Sequence, residues 1–291
     1  MFQENLFAGK RILVTGGGTG LGKVMAEKYA ELGAEVIICG RRVGVLEATA
    51  KEISAGKKGR VHGIGCDIRE PEAVEKMVAE IWSQYGPLTG LVNNAAGNFV
   101  SRTQDLSPRG FNAIANIVFH GTFYVTHAVG KRWIEEKIPG SVISILVTWI
   151  WTGGPYVVPS AMSKAAIHTM TQSLAAEWGK YGIRLNAIAP GPFPTKGASE
   201  RLNPLGVTPN YKATIPMGRT GEMPELSNLA AFLMADGCQY LTGQTIAIDG
   251  GQWLAGNGNF YQLSMLTDDM WKKMKDVIKS ANEKDKAQRT A

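Results

Sequence analysis

Short apolar runs alternate with longer amphipathic stretches along most of this chain, and this alternation constrains its fold more than any other feature. The apolar runs have the length of buried strands, and each amphipathic stretch is long enough for a crossover helix. The predicted strands are residues 11–15, 35–39, 61–64, 91–93, 142–147, 185–189 and 245–248. The predicted helices are residues 21–32, 43–53, 71–85, 108–133, 161–181 and 224–234. This order predicts a doubly wound α/β fold, in which one parallel sheet carries helices on both faces.

The chain is predicted to form one domain with a C-terminal extension. We expect residues 1–255 to be the domain and residues 256–291 to be a basic helical extension. Trp271, Met274 and Ile278 recur there at helical spacing, which predicts a short helix packed on this domain or on a partner subunit. Residues 190–221 are rich in Pro and Gly and long for a connection, so we expect them to form a loop that covers the substrate.

Charge and composition exclude several classes of function. Residues 271–291 hold seven Lys/Arg and three Asp/Glu, so this segment supplies four of the six net positive charges and no nucleic-acid partner is predicted. Cys39, Cys66 and Cys238 form no Cys-x-x-Cys pair, and the four histidines form no metal-ligand pattern. No run approaches the roughly 18 apolar residues of a membrane span, and no signal peptide is recognisable, so we expect a cytoplasmic protein.

A glycine-rich segment follows the first predicted strand and opens the first predicted helix. Gly16, Gly20 and Gly22 would let bare backbone approach a pyrophosphate at the positive end of that helix. Three glycines alone are a weak signal, but their place between a strand and a helix indicates a dinucleotide site in a Rossmann-type sheet.

The residues after the second predicted strand favour NADP(H) over NAD(H). An NAD enzyme places a carboxylate there for the ribose 2′-hydroxyl, whereas this chain has Cys39-Gly40-Arg41-Arg42. Guanidinium groups bind a 2′-phosphate bidentately, and a carboxylate would repel it. The alternative is that Arg41 and Arg42 are ordinary surface residues at the start of a helix.

The glycine spacing resembles that of short-chain dehydrogenases/reductases, and further motifs of that family follow in order. They are Asp67, Asn93 to Gly97, Lys164 and Pro190-Gly191. In this family Asn93 and Gly97 mainly hold the strand and its turn. The resemblance implies a cofactor site formed by Gly16, Thr19, Gly20, Leu21, Arg41, Arg42, Asp67, Ile68, Asn94, Ala95, Lys164, Pro190, Gly191, Phe193 and Thr195.

Within that family the chain is most similar to 2,4-dienoyl-CoA reductases. The similarity lies in residues 94–99, 157–161, 175–182 and 190–198. It includes Ser160, which replaces the tyrosine of most short-chain dehydrogenases/reductases. The resemblance implies reduction of an acyl-CoA in fatty-acid β-oxidation by a homotetramer. The residues that it assigns to acyl-CoA binding are Arg41, Arg69, Phe99, Ser107 and Arg201.

The catalytic set implied by this resemblance is Lys164, Asn98, Ser160 and the residue at position 149. In that subgroup this last position is a tyrosine. The tyrosine and the Asn that matches Asn98 donate hydrogen bonds to the thioester oxygen, whereas this chain has Trp149 in place of the tyrosine. An indole N–H donates one hydrogen bond but does not exchange a proton at neutral pH. Trp149 either replaces the tyrosine as a donor or only fills space beside Trp151, and Tyr156 and His120 are candidate replacement acids.

Three hypotheses follow from the sequence. The first is an NADPH-dependent 2,4-dienoyl-CoA reductase. The second is a reductase of another acyl-CoA, such as a 2-enoyl or 3-oxoacyl thioester. The third is a protein that binds NADP(H) without catalysis.

Overall fold

A computed structural model describes residues 1–195, 202, 210–256 and 261–289. Within these residues one sheet of seven parallel strands has the order β3-β2-β1-β4-β5-β6-β7. The strands are β1 (Arg11–Thr15), β2 (Glu35–Gly40), β3 (Val61–Gly65), β4 (Gly90–Asn93), β5 (Gly140–Ile145), β6 (Ile183–Pro190) and β7 (Thr245–Ile248). The order reverses between β1 and β4, and a ligand crevice forms at such a reversal in open α/β sheets.

The helices alternate with the strands as the sequence predicts. They are α1 (Gly20–Glu31), α2 (Val43–Ser54), α3 (Pro71–Gln84), α4 (Pro108–Ala115), α5 (Gly121–Glu136), α6 (Trp149–Thr152), α7 (Val158–Trp178), α8 (Tyr211–Thr214), α9 (Met223–Met234), α10 (Gln252–Gly256) and α11 (Asp268–Arg289). Single 3-10 turns lie at Thr103–Asp105, Gly179–Tyr181, Asp236–Cys238 and Tyr261–Met265. The loop 190–221 is only partly described, so its expected role as a substrate cover stays a prediction.

Two hydrophobic cores cover the two faces of the sheet. Successive side chains of a strand point to opposite faces. Ile12 and Val14 therefore join the core that includes residues of α1, α2 and α9. Leu13, between them, joins the core formed with α3, α5 and α7. This arrangement confirms the predicted doubly wound, Rossmann-type fold with helices on both faces.

The predicted elements differ from the structure mainly at their ends. The helix predicted over residues 108–133 is divided by a π turn at Asn116–His120, which a 3.6-residue pattern does not detect because it spans only five residues. Ser107 caps α4, since its hydroxyl accepts the Gly110 N–H at 3.1 Å. Helix α7 begins at Val158, before the predicted start at residue 161, because Pro159 fits the first turn without a helical N–H bond.

The C-terminal helix is longer and less covered than the sequence predicts. Helix α11 spans 22 residues, whereas we expected a short helix packed on the domain or on a partner. Trp271 and Ile278 are 46% and 53% exposed, and Met274 is half-buried. The described residues of the chain's own domain therefore leave this apolar face largely exposed, and its packing on a partner subunit stays a prediction.

No helix in the described part of the chain is both long and apolar enough to cross a membrane. Among the same residues no cluster of three His, Cys, Asp or Glu side chains could hold a metal ion.

Candidate active site

The glycine loop lies between β1 and α1, where the strand order reverses. Gly16 and Gly20 have left-handed backbone torsions, with φ of 64° and 57°, which glycine adopts without strain. A Cβ at Gly22 would lie 2.4 Å from Asn94 Nδ2 and 2.6 Å from the Gly16 carbonyl oxygen. The loop therefore requires glycine at these positions, and it leaves the first N–H groups of α1 free to face an anion.

Side chains at the ends of β1 and β4 fasten this loop to the sheet. The Thr15 hydroxyl accepts the N–H groups of Asn94 and Ala95, each at 3.0 Å. Asn94 Nδ2 donates to the carbonyl oxygens of Thr15 at 3.0 Å and Gly16 at 3.2 Å. The side-chain donors of Asn94 are therefore used within the loop. Thr15 was not among the predicted site residues, although its position directly before the glycines was a signal for it.

Asn93 has the structural role that the sequence suggests. It is buried, and its Nδ2 donates to the Thr126 hydroxyl of α5 at 2.8 Å. This bond ties β4 to the helix behind it, so Asn93 holds the strand and is not part of the ligand-facing surface.

Charged side chains gather at the carboxyl ends of β2 and β3, where the sequence predicts the site of the ribose 2′-phosphate. Arg69 Nε donates to both carboxylate oxygens of Asp67, at 2.9 and 3.0 Å. The hydrogen bonds from Arg69, assisted by the charge of Arg41, lower the pKa of Asp67. Arg41 and Arg42 are exposed just beyond the end of β2. The fold thus places two predicted cofactor residues, Asp67 and Arg41, beside Arg69, which was assigned to acyl-CoA.

The segment after β6 returns to the glycine loop. A Cβ at Gly20 would lie 3.6 Å from the Thr195 side chain, so two predicted cofactor residues from opposite halves of the sheet are neighbours. Phe193 is 7% exposed and packs on Gly221, so its ring belongs to the core. Of the remaining predicted cofactor residues, Thr19, Leu21, Ile68, Ala95, Pro190 and Gly191 all lie at the carboxyl ends of their strands or in the segments that follow them.

Lys164 occupies a buried position on α7. Its ammonium donates to the carbonyl oxygen of Ile145 at the end of β5, and no other acceptor for it lies among the described residues. Burial lowers the pKa of Lys164 to about 8 because the charged form loses hydration. Two of its three N–H groups remain available to a ligand. Ser160, one turn earlier on the same helix, is also buried.

Asn98 lies in the segment after β4 and is held in one orientation. Its Oδ1 accepts the Phe99 N–H at 2.9 Å, which leaves Nδ2 as the remaining donor of the side chain. In the described part of the chain this Nδ2 meets no acceptor. The side chain of Asn98 is half-buried, so it can present one N–H group to a substrate oxygen.

Trp149 begins α6, beyond the end of the strand predicted over residues 142–147. The indole is half-buried and packs on Gly154, where an added Cβ would lie 3.3 Å from Trp149 Cδ2. Its Nε1 has no hydrogen-bond partner within the described ranges. Neighbouring Trp151 stacks instead on Trp253, with ring centroids 4.7 Å apart. Trp149 therefore has a free donor.

The candidate replacement acids and the residues predicted to bind acyl-CoA lie on several different elements of the fold. Tyr156 is 58% exposed, and His120 is exposed on the π turn. Phe99 is half-buried and faces Gly110 of α4. The Ser107 hydroxyl serves as the cap of α4, while Arg201 lies outside the described residues.

Comparison with known proteins identifies the family. The family described as Enoyl-(Acyl carrier protein) reductase matches residues 16–252. A Caenorhabditis elegans protein named as a probable 2,4-dienoyl-CoA reductase is 41% identical over 99% of this chain and 95% of its own length. The chain belongs to the short-chain dehydrogenase/reductase family. A further member, a probable 2,4-dienoyl-CoA reductase of Bacillus subtilis, is 42% identical over 84% of this chain and 97% of its own length.

Solved structures agree with this membership. A short chain dehydrogenase from Bacillus anthracis is 40% identical, has a TM-score of 0.76, and is matched over 84% of this chain and 96% of its own. A gluconate 5-dehydrogenase from Burkholderia cenocepacia, in complex with NADP and tartrate, is 28% identical with a TM-score of 0.79, over 86% and 97% of the two chains. This short-chain dehydrogenase/reductase is thus an oxidoreductase of a family that uses nicotinamide cofactors.

Proposed function

We propose that this chain is an NADPH-dependent reductase of unsaturated acyl-CoA thioesters, of the 2,4-dienoyl-CoA type. One observation carries the proposal: three side chains keep hydrogen-bond donors free, which are two N–H groups of Lys164, Nδ2 of Asn98 and Nε1 of Trp149. The buried Ser160 offers no acidic phenol. The full-length relatives named as 2,4-dienoyl-CoA reductases support the same reaction class.

The preference for NADPH rests on Arg41 and Arg42. Both guanidinium groups are exposed directly beyond β2, where a ribose 2′-phosphate would lie. No carboxylate stands at the end of that strand to repel it. A side chain at Gly22 would collide with Asn94 and with the loop backbone. The loop therefore keeps a bare backbone at the start of α1, which supports the approach of a pyrophosphate. When bound, NADPH supplies a hydride.

The three donors stabilise the charge that forms on the substrate. Hydride addition to a conjugated thioester places negative charge on the thioester oxygen. Asn98 and Trp149 donate hydrogen bonds to that oxygen, and the Lys164 ammonium adds positive charge near it, as in other oxyanion sites. We propose that water supplies the proton that completes the reduction, because neither an indole N–H nor a serine hydroxyl is acidic at neutral pH and Lys164 keeps its proton to stabilise the oxyanion. Tyr156 and His120 are the alternative proton donors.

The acyl-CoA is proposed to lie along the edge formed by Phe99 and Arg69. Phe99 offers an apolar wall to the acyl chain. Arg69 is already paired with Asp67, so a CoA phosphate must share the Arg69 guanidinium with that carboxylate. Arg41 has no carboxylate partner in the described residues, so its guanidinium can bind a phosphate without such competition. Assembly as a homotetramer and a role in fatty-acid β-oxidation are part of the same proposal.

The position of Trp149 leaves two competing functions. If the indole misplaces the thioester, the chain either reduces a 2-enoyl or 3-oxoacyl thioester or binds NADP(H) without turnover.

The deciding experiment follows NADPH absorbance with the pure protein and a panel of 2,4-dienoyl-, 2-enoyl- and 3-oxoacyl-CoA substrates. We expect the fastest turnover with a 2,4-dienoyl-CoA and little activity with NADH. Absence of turnover with every dienoyl-CoA at saturating NADPH would refute the proposal. A faster reaction with one of the other thioesters would reassign the substrate.

A matched pair of variants tests the role of Asn98. Asn98→Asp keeps the Oδ1 acceptor for the Phe99 N–H but replaces the free donor with an anionic oxygen. We expect turnover to fall on the order of 10²- to 10³-fold, as for loss of an oxyanion donor. Asn112→Asp adds the same charge at an exposed site on α4 and should change turnover little. Equal effects of the two variants would exclude a direct role of Asn98.

A further inference from the structure

The short helix α6 carries the Trp149 donor but is too short to fix the direction of that side chain by itself. It spans four residues, Trp149–Thr152, and helices shorter than about 12–15 residues are marginal without packing. Gly153, which ends it, has a positive φ of 73°, and no atom of the described residues lies within 4 Å of an added Cβ there. The direction of the Trp149 indole therefore depends on what the other side chains of α6 contact.

Ile150 and Trp151 hold α6 through two different contacts. Ile150 packs against a small buried cluster that includes Leu146 and Ile167. The Trp151 indole lies on the Trp253 indole of α10, with ring centroids 4.7 Å apart and ring planes inclined by 32°. Aromatic pairs at such distances stabilise by more than their buried area alone. Trp151 thus joins α6 to α10.

The Trp253 side of this stack is itself held in place. Asp249 directly follows β7, and its two carboxylate oxygens accept backbone N–H groups of the turn into α10. The Gly251 N–H donates at 2.9 Å and the Trp253 N–H at 2.8 Å. The position of the Trp253 ring is therefore set from the end of the sheet.

A second ring, that of His168 on α7, meets Trp151 edge to face. The ring centroids are 6.4 Å apart and the ring planes are inclined by 75°, which is a favourable arrangement for aromatic rings. His168 Nδ1 and the Thr245 hydroxyl of β7 form a hydrogen bond of 2.9 Å. Both rings that Trp151 contacts are therefore tied to β7 or to the turn directly after it.

Trp149 and Trp151 stand on opposite sides of α6. Successive residues of a helix are about 100° apart around its axis, so these two indoles are about 160° apart. A contact that holds Trp151 therefore also fixes the rotation of α6, and with it the direction of Trp149.

We propose that the stack of Trp151 on Trp253 positions the Trp149 indole for its hydrogen bond to the thioester oxygen. Trp151 and Trp253 are then positioning residues, since they act through Trp149 and not on the substrate itself. The inference rests on the proposed function and adds two residues to it.

Kinetics of Trp151→Leu and Trp253→Leu test the proposal, because each variant removes one ring of the stack. With a 2,4-dienoyl-CoA we expect kcat to fall about tenfold in either variant, less than the roughly 10²-fold that follows a 1 Å displacement. KM for NADPH should stay unchanged. Trp151→Phe keeps a ring on Trp253 and should retain most of the parent kcat. Trp271→Leu is the control, since it removes a similarly exposed indole from α11 and should leave kcat unchanged.

A Trp149→Phe background shows whether the stack acts through the Trp149 indole. Because this variant lacks the donor, adding Trp151→Leu to it should lower kcat no further. The double variant Trp151→Leu/Trp253→Leu should also match either single variant, since the effects of two residues in one contact are not additive.

A spectroscopic measurement separates this inference from the proposed function. Fluorine NMR of the full chain labelled with 5-fluorotryptophan gives a signal for Trp149, which is identified by its loss in Trp149→Phe. We expect Trp253→Leu, whose ring lies beyond Trp151, to shift or broaden that signal. Trp271→Leu should leave the signal in place, and circular dichroism should stay unchanged in both variants.

Two results would overturn the inference. The first is an unchanged Trp149 signal in Trp253→Leu, even if the parent protein reduces a 2,4-dienoyl-CoA. The second is an equal fall in kcat when Trp151→Leu is added to the parent and to Trp149→Phe. A parent protein without dienoyl-CoA turnover would instead refute the proposed function, and the Trp149 signal would still decide whether the stack positions the indole.

Discussion

The proposed cofactor half and the proposed substrate half of the candidate site are held in different ways. In the cofactor half, Thr15, Asn94 and the glycines form hydrogen bonds and close backbone contacts with one another. In the substrate half, Trp149 is half-buried with a free Nε1, and Tyr156 is exposed. Replacing one residue of the glycine loop therefore removes hydrogen bonds or contacts of several neighbouring residues. Replacing a residue in the substrate half mainly changes which substrate binds.

The glycine loop and the donor at position 149 therefore depend on different parts of the chain. The loop depends on backbone geometry, which tolerates no added Cβ at Gly22. The donor at position 149 depends on a side chain at the start of a four-residue helix.

The largest expected effect concerns Lys164, where the two halves meet. Lys164→Met fills a similar volume but removes the charge and all three donors. We expect turnover to fall on the order of 10²- to 10³-fold, equivalent to about 2.7–4 kcal/mol of transition-state stabilisation. NADPH binding should remain measurable by fluorescence titration, because the phosphate contacts are elsewhere.

Two controls accompany Lys164→Met. Burial lowers the pKa of Lys164 to about 8. The charged form of this lysine therefore destabilises the folded protein, and the destabilisation is fully present below pH 8. The variant should therefore unfold at an equal or higher temperature at neutral pH. The parent enzyme should lose activity as the pH rises through about 8. A variant with full turnover would remove Lys164 from the mechanism.

The next effect concerns Trp149. Trp149→Tyr places a smaller donor in a site that is packed around an indole, and we expect kcat to fall on the order of 10²-fold because the donor is displaced. Trp149→Phe keeps a ring without a donor and should be at least as impaired. Steady-state kinetics with a 2,4-dienoyl-CoA measures both. Activity that appears only in Trp149→Tyr would instead identify a lapsed enzyme.

A smaller effect tests the rigidity of the cofactor half. Gly22→Ala places a Cβ against Asn94 and the Gly16 carbonyl oxygen, and should lower the free energy of unfolding by about 1–3 kcal/mol. Gly44→Ala is the control, because Gly44 is also helical but has no atom within 4 Å of the added Cβ. It should stabilise by about 0.5–1 kcal/mol. Denaturant titration measures both, and similar values would show that the loop accepts a side chain.

The smallest expected effect concerns Arg41 and Arg42. Replacing either with Ala should weaken NADPH binding by about tenfold, as expected for an exposed charged hydrogen bond, and should leave NADH binding unchanged. Arg109→Ala, at an exposed position on α4, is the control. Equal losses for both cofactors would mean that these arginines do not bind the 2′-phosphate.

Much of the fold and of the cofactor half was predictable because both depend on local sequence. All seven strands and the main helices follow from periodicity, and the glycines reveal the loop because no other residue fits its torsions. The π turn at Asn116–His120 and the short helix at Trp149–Thr152 were not predictable. Each covers too few residues to produce a periodic pattern.

The sequence by itself determined the parallel sheet, the glycine loop between β1 and α1 and the positions of Lys164, Asn98 and Trp149. Only the tertiary structure decided which groups are free to act. The linear sequence does not show that Arg69 is paired with Asp67 or that Asn94 is bonded to the glycine loop. It also does not show that Lys164 is buried. Hydrogen bonding and desolvation depend on distances in space, and these exist only once the chain is folded.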